Sequence, residues 1–137
     1  MKIGYFITAC NEFEELTRLL LMLKTNITDN DCIGILLDEN NHTEEMSELC
    51  ETFLLPDNSI RLAYAPLNND FATFKNVGYN LLDDCDWIFQ LDADEIPSKI
   101  LVNNLTSILE MNPGVELIYI PRINTVDGLT ETHIKKW

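Results

Sequence analysis

Short apolar runs alternate with stretches of helical period along most of the chain. Ile3 to Thr8 is apolar and partly aromatic, which predicts a first strand. A polar turn, Thr8-Ala9-Cys10-Asn11-Glu12, leads into Phe13, Leu16, Leu20 and Leu23, which recur at helical spacing with Leu19 beside them. Cys32 to Leu37 is uniformly apolar, as a strand covered on both faces should be, and it stops at Asp38. Asn41 and Glu44 have capping-box spacing before a stripe of Met46, Leu49, Cys50 and Phe53. Pro56-Asp57-Asn58 reads as a turn.

Ile60, Leu62 and Tyr64 alternate, which predicts a third strand. After a loop from Pro66 to Asn69, Asp70 is placed to cap a helix with Phe71, Phe74, Gly78 and Leu81 on its buried side. Trp87 to Leu91 is the fourth strand. Ile100, Leu101, Leu105 and Ile108 mark another helix, ended near Asn112-Pro113-Gly114. Val115 to Ile120 has the composition of a fifth strand, closed by Pro121. Residues 122–137 have weak periodicity and read as a tail to a domain spanning 1–121.

Alternating strands and helices of this kind build an α/β fold, a mostly parallel sheet with helices on both faces. Such sheets bind ligands outside the carboxyl ends of their strands. Here those ends are polar: Thr8 to Glu12 after the first strand, Asp38 after the second, Asp92 to Glu95 after the fourth. Residues far apart in sequence are thereby expected on one rim.

The formal net charge of -14, from nine basic and 23 acidic residues, excludes nucleic acid as the main partner, because phosphate backbones demand clustered Lys and Arg. No run is long enough to span a bilayer, and no signal peptide is visible, so no integral membrane segment is expected. Cys10, Cys32, Cys50 and Cys85 have no CxxC spacing, which speaks against a zinc knuckle or a redox motif. Cys32 and Cys50 fall in apolar patterns and read as buried free thiols, which points to a reducing, cytoplasmic setting.

The most informative stretch is Trp87 to Pro97. The run reads as a buried strand that ends at the acidic loop Asp92-Ala93-Asp94-Glu95, and Pro97 then suits the first turn of a new helix. Capping needs one carboxylate, whereas three at one strand end repel each other. A divalent cation with oxygen ligands offsets that repulsion. Glycine-rich phosphate loops are absent: no GxGxxG follows the first strand, and there is no Walker-type loop. A cation on Asp92 or Asp94 with positions left for phosphate oxygens is the alternative means of holding a diphosphate. Lys75 is a candidate to reach the same ligand from the third helix, and an ordinary solvated helix Lys is the competing reading.

These residues resemble the nucleotide-binding half of a family 2 glycosyltransferase with the GT-A fold, a Rossmann-like nucleotide-diphospho-sugar transferase architecture. Four pieces match in order and approximate spacing over residues 1 to about 121: Thr8 to Glu12; Asp38; Asp70-Phe71-Ala72-Thr73-Phe74-Lys75-Asn76, similar to the family's Phe-x-x-x-(Arg/Lys)-Asn helix; and Asp86 to Glu95, similar to its DxD signature. The resemblance implies that Thr8, Ala9, Cys10, Asn11, Glu12 and Asp38 line the nucleotide pocket. It implies that Lys75 and Asn76 touch base or diphosphate, and that Asp92 lies by the ribose or the metal. Asp94 is the implied catalytic position, coordinating Mn2+ or Mg2+. The implied donor is a nucleotide-sugar, most often a UDP-sugar in this family, with transfer to an acceptor such as a saccharide by inversion.

The chain departs from the family in two places. Asp38-Glu39-Asn40-Asn41 stands where an Asp-Asp-Gly-Ser type turn is usual. The acceptor-binding half that carries the family's base would lie beyond residue 121, where Asp127, Glu131 and His133 are the ionisable residues at hand and none is marked as that base. Two other classes are therefore carried alongside: a nucleotide-sugar-binding module without turnover, and, ranked lower, a phosphatase resembling the haloacid dehalogenases with Asp92 as nucleophile. The latter pattern expects its DxD after the first strand, not the fourth.

Overall fold

The structure is a computed structural model and describes residues 1–54 and 57–124. Its elements are β1 (Ile3–Ala9), α1 (Phe13–Asn26), β2 (Cys32–Asp38), α2 (Glu44–Leu54), β3 (Ile60–Ala65), α3 (Phe71–Tyr79) running into a 3-10 turn (Asn80–Leu82), β4 (Trp87–Asp92) and α4 (Lys99–Glu110). The four strands form one sheet in the order β3-β2-β1-β4, every neighbouring pair parallel. The predicted α/β alternation is thus realised as a parallel sheet.

Strand geometry sends alternate side chains to opposite faces. Ile3, Tyr5, Ile7, Ile33, Ile35 and Leu37 pack on one face against Leu16, Leu20 and Leu23 of α1, Met46 and Cys50 of α2, and Val102, Leu105 and Leu109 of α4. Phe6, Cys32 and Leu36 pack on the other face against Phe74 of α3 and Leu82. Both faces of β1 and β2 are therefore covered, which is why their sequences are continuously apolar.

Several expectations need correction. Among the described residues β4 is an edge strand with Ile88 and Gln90 exposed, not a buried one. The helix α4 starts at Lys99 behind the Ser98 cap, so Pro97 lies outside its first turn, and its buried side is Val102, Leu105 and Leu109 while Ile100 and Ile108 are exposed. Val115 to Ile120 is not a strand: among the described residues it joins no sheet, and Leu117 and Tyr119 are 66% and 87% exposed. Strand propensity becomes a strand only where a partner edge and a packing surface coincide. The buried ridge of α3 continues from Phe74 through Gly78 to Leu82, with Leu81 partly buried against the same cluster, while Phe71 is 64% exposed. A step of four from Phe74 and from Gly78 follows the sheet-facing side, and Phe71 at the first turn lies beyond it. Asn41 does not cap α2; its side chain donates to Asp38 at 2.9 Å, and the helix starts at Glu44. The predicted cap at Asp70 is present: its carboxylate accepts from the Thr73 backbone N–H at 3.1 Å and from the Thr73 hydroxyl at 2.7 Å. Pro56 of the predicted turn, and Asp127, Glu131 and His133 of the predicted tail, lie outside the described residues.

The amino-terminal edge of the sheet is held by carboxylates. Buried Asp31 accepts from the backbone N–H of Ile3 and of Thr28, each at 3.0 Å. Asp31→Ala is expected to cost about 2–3 kcal/mol in a denaturant melt, because the buried Ile3 N–H loses a charged acceptor with no water to replace it. Nearby, Asp84 binds Arg61 and Lys2. The Arg61 hydrogen bonds, then that of Lys2, hold the Asp84 carboxyl well below the usual range. A depressed carboxylate stabilises the fold above its unfolded pKa, and that contribution is lost as pH falls through the folded value. The melting-temperature gap between wild type and Asp84→Asn should therefore be full above about pH 5 and close progressively in acid.

Candidate functional site at the carboxyl rim of the sheet

The chain runs β1, β2, β3 outward in one direction and then returns to place β4 on the other side of β1. The order of connection reverses between β1 and β4, and a parallel sheet leaves a crevice at the carboxyl ends of the strands where this happens. Thr8 and Asp92 are Cα partners across that gap. The Thr8 hydroxyl donates to Asp92 Oδ1 at 2.9 Å. The acidic loop thus begins at the point where the sheet opens.

Backbone bonds shape this loop. Ala93 N–H donates to the Thr8 carbonyl at 3.1 Å, which continues the β1–β4 pairing one step beyond the strand and buries Ala93. Glu95 N–H donates to the Asp92 carbonyl at 3.0 Å, and Glu95 Oε2 accepts from the Asp92 N–H at 3.2 Å. Glu95 is consequently turned back into the loop. Asp94, between the two, is exposed and makes no hydrogen bond or ion pair among the described residues. Ser98 caps α4 through the Leu101 N–H at 3.2 Å, which fixes where the loop ends.

The first loop is closed by its own carboxylate. Glu12 Oε2 accepts from the N–H groups of Cys10 and Asn11 at 2.8 and 3.1 Å. Burial, then the negative charges of Asp38 and Glu12, raise the Cys10 thiol above its usual range. Ala9 is buried, and Asn11 is exposed.

Asp38 ends β2 opposite Ala65 and is buried. Its oxygens accept from the Asn40 N–H at 3.1 Å and the Asn41 side-chain amide at 2.9 Å. Asp38 therefore builds its own turn first. A carboxylate has about four acceptor positions, so two bonds leave room for a ligand donor. His42 Nδ1 lies 2.7 Å from the Asp38 carbonyl oxygen, with its ring 5.2 Å from that of Tyr64.

The structure thus brings Thr8, the loop to Glu12, Asp38 and the Asp92–Glu95 loop to the ends of three adjacent strands. Lys75 and Asn76 sit one turn into α3, which starts after the carboxyl end of β3. Lys75 is half-buried without an ion-pair partner among the described residues, and Asn76 is exposed. A cleft of about 280 Å³ at the start of α3 is lined by Ala65, Pro66, Leu67, Asn68, Asp70, Thr73, Phe74 and Val77, and neither Lys75 nor Asn76 is part of its lining. Asn68 and Asn69 in its connecting loop take left-handed backbone conformations, at φ of 47° and 57°. Asn tolerates these conformations better than other non-glycine residues.

Two residues at the rim carried no sequence signal. Arg122 Nη2 stands 3.0 Å from Glu95 Oε1, 27 positions along the chain from it. Its long side chain brings a cation to the acidic loop. His42 is the other. The donor atoms are of the type a hard divalent cation takes: among the described residues Asp94 has no hydrogen-bond partner, and Asp92 uses Oδ1 for Thr8 but keeps Oδ2 without a donor. Asp92, Asp94 and Glu95 do not bring three carboxylate oxygens within 4.8 Å of one another; among the described residues only Cys32, Asp84 and Cys85 form such a convergent trio.

No helix among the described residues is long and apolar enough to cross a membrane. No family model and no curated protein matches the chain.

Proposed function

We propose that this chain is the nucleotide-sugar-binding part of a glycosyltransferase that works with a divalent cation, in a GT-A type fold. The observation that carries the reading is the Thr8–Asp92 pair, which sets Asp92-Ala93-Asp94-Glu95 at the switch point of a parallel sheet. Asp94 and Asp92 would hold Mn2+ or Mg2+. The cation, when bound, offsets the charge that develops on a nucleoside diphosphate as it leaves the sugar.

The chain's own residues do the rest. Asp92, fixed by the Thr8 hydroxyl, presents its second oxygen to the cation or the ribose. Asp38 accepts from the base or ribose with its remaining lone pairs. The loop from Thr8 to Glu12 forms the pocket wall between them. Lys75 and Asn76 face the diphosphate or base from α3. In a chain of net charge -14, a cation on the ligand side is needed to make an anionic donor welcome. The acceptor is a separate molecule such as a saccharide, attacked-carbon inversion being the stereochemical outcome the resemblance implies.

Calorimetric titration with UDP, GDP and several nucleotide-sugars, with and without Mn2+, tests the reading. Cation-dependent binding of a nucleoside diphosphate is expected. Absence of binding to every one of them in saturating Mn2+ would sink it. Release of nucleoside diphosphate with and without added acceptor then distinguishes transfer from binding alone.

Lys75→Met removes the charge and keeps most of the stem. Nucleotide affinity is expected to fall by about 1–3 kcal/mol, the scale of a lost charge-assisted hydrogen bond, with the melting temperature unmoved. Unchanged affinity would make Lys75 a solvated helix residue.

A further inference from the structure

At the opposite edge of the sheet from the rim, Cys32 opens β2 and Cys85 sits in the turn before β4. Their sulfurs are 3.1 Å apart although 53 positions separate them in the chain. That is roughly 1 Å beyond the ~2.05 Å of a disulfide bond. Neither residue is in a CxxC pair, and each would pass for an isolated core thiol in the sequence.

The surroundings hold this pair together. Cys32 lies beside Gly4 in the β1–β2 register. A Cβ on Gly4 would meet the Cys85 sulfur at 2.9 Å and the Leu82 side chain at 3.0 Å, so the absence of a side chain there is what admits the sulfur. The Cys85 N–H donates to the Leu82 carbonyl at 3.0 Å, and the Asp86 N–H to the Lys2 carbonyl at 2.9 Å, which fixes the turn on the sheet edge. Asp84 completes a trio with the two sulfurs. Its two oxygens are already bound by Arg61 and Lys2, and those two cations would repel a metal ion. The chemistry of the cluster is therefore that of a dithiol rather than of a metal site.

We propose that Cys32 and Cys85 are an oxidation site that closes to an intramolecular disulfide by exchange with a small-molecule disulfide. Cys85, half-buried where Cys32 is fully buried, reacts first. Its thiolate attacks one sulfur of the reagent RSSR, which breaks the reagent's bond and releases one thiolate that takes up the Cys85 proton. The Cys32 sulfur, losing its proton to solvent, then attacks the Cys85 sulfur and expels the second RS–, which is protonated to RSH. The protein loses two electrons and two protons, and the reagent becomes two RSH. Burial, then the hydrogen bond with Cys32, raise the Cys85 thiol, which disfavours its thiolate at neutral pH and slows closure. The bridge ties the first residue of β2 to the turn that launches β4. It leaves the carboxyl rim, at the far end of the strands, in place.

The test is a thiol count on the whole chain after incubation with oxidised glutathione. The protein is acid-quenched, unfolded and labelled with a maleimide mass tag; glutathione adducts are distinguished by mass. Of the four cysteines, Cys10 and Cys50 should remain available and Cys32 and Cys85 should not, with a loss of two hydrogens and no dimer. The bridge should persist in Cys50→Ala and Cys10→Ser and be lost in Cys85→Ser. Melting temperature should rise by roughly 5–10 °C on oxidation and fall back with dithiothreitol. Cys32 and Cys85 both still labelled after a day in excess reagent, or a bridge that survives Cys85→Ser, overturns the proposal. The count on the wild-type chain decides this even if a cysteine variant folds poorly.

Discussion

Gly78→Ala should destabilise the protein by about 2–3 kcal/mol, although the same change in an exposed helix interior stabilises by about 1 kcal/mol. The reversal of sign comes from Phe6. A Cβ at position 78 would stand 2.1 Å and 2.2 Å from two carbons of the Phe6 ring. That ring is fully buried in the middle of β1, packed among Leu36, Phe74 and Leu82 and edge-on to Tyr79 at a centroid distance of 5.0 Å. Tyr79 is in turn anchored by its hydroxyl, which donates to Gln90 Oε1 at 2.5 Å. Phe6 therefore has no direction in which to yield, and α3 must lift from the sheet. A denaturant or thermal melt measures the loss, on the order of 8–12 °C in melting temperature. Gly114→Ala is the control, since nothing lies within 4 Å of a Cβ there. In the background of Phe6→Leu the penalty of Gly78→Ala should shrink, which ties it to this contact and not to the helix. Equal stability of Gly78→Ala and wild type would mean that α3 does not pack on the sheet as described.

The second large effect concerns binding rather than folding. Asp94→Asn should weaken Mn2+-dependent UDP affinity by about 100-fold or more, since losing even an outer partner of a metal site costs 10- to 100-fold. Its melting temperature should be equal to that of the wild type or higher, because Asp94 makes no hydrogen bond among the described residues and its charge repels Asp92 and Glu95. Asp92→Asn should behave differently. Asp92 accepts the Thr8 hydroxyl across the β1–β4 gap, so this variant loses about 1 kcal/mol of stability together with affinity. The contrast separates a residue held ready for a ligand from one that also ties the sheet together. UDP affinity in Mn2+ that is the same for wild type and Asp94→Asn would count decisively against a role for Asp94 at the metal.

Much of the architecture was legible along the chain because helix and strand periods are local properties. Leu16, Leu20 and Leu23 can form one helical stripe whatever lies opposite. The continuous apolar run of β2 already implied cover on both faces, and polar residues at the strand ends already implied a shared rim. Asp70 could be read as a cap because capping is settled within three residues. What depended on partners was not legible. Val115 to Ile120 has a strand's composition, but pairing is a relation between two segments, and among the described residues no strand accepts it. Asn41 had the spacing of a cap, yet the helix begins only at Glu44, and Asn41 is instead part of the turn around the Asp38 carboxylate. Four alternating units could be arranged in several strand orders; only tertiary packing set β4 beside β1 and made Thr8 and Asp92 neighbours. The same packing carried Arg122 to Glu95, pressed Phe6 against Gly78, and brought two sulfurs 53 residues apart to 3.1 Å. Sequence specifies what each segment can bury; the chain's return through space decides which groups it is buried against.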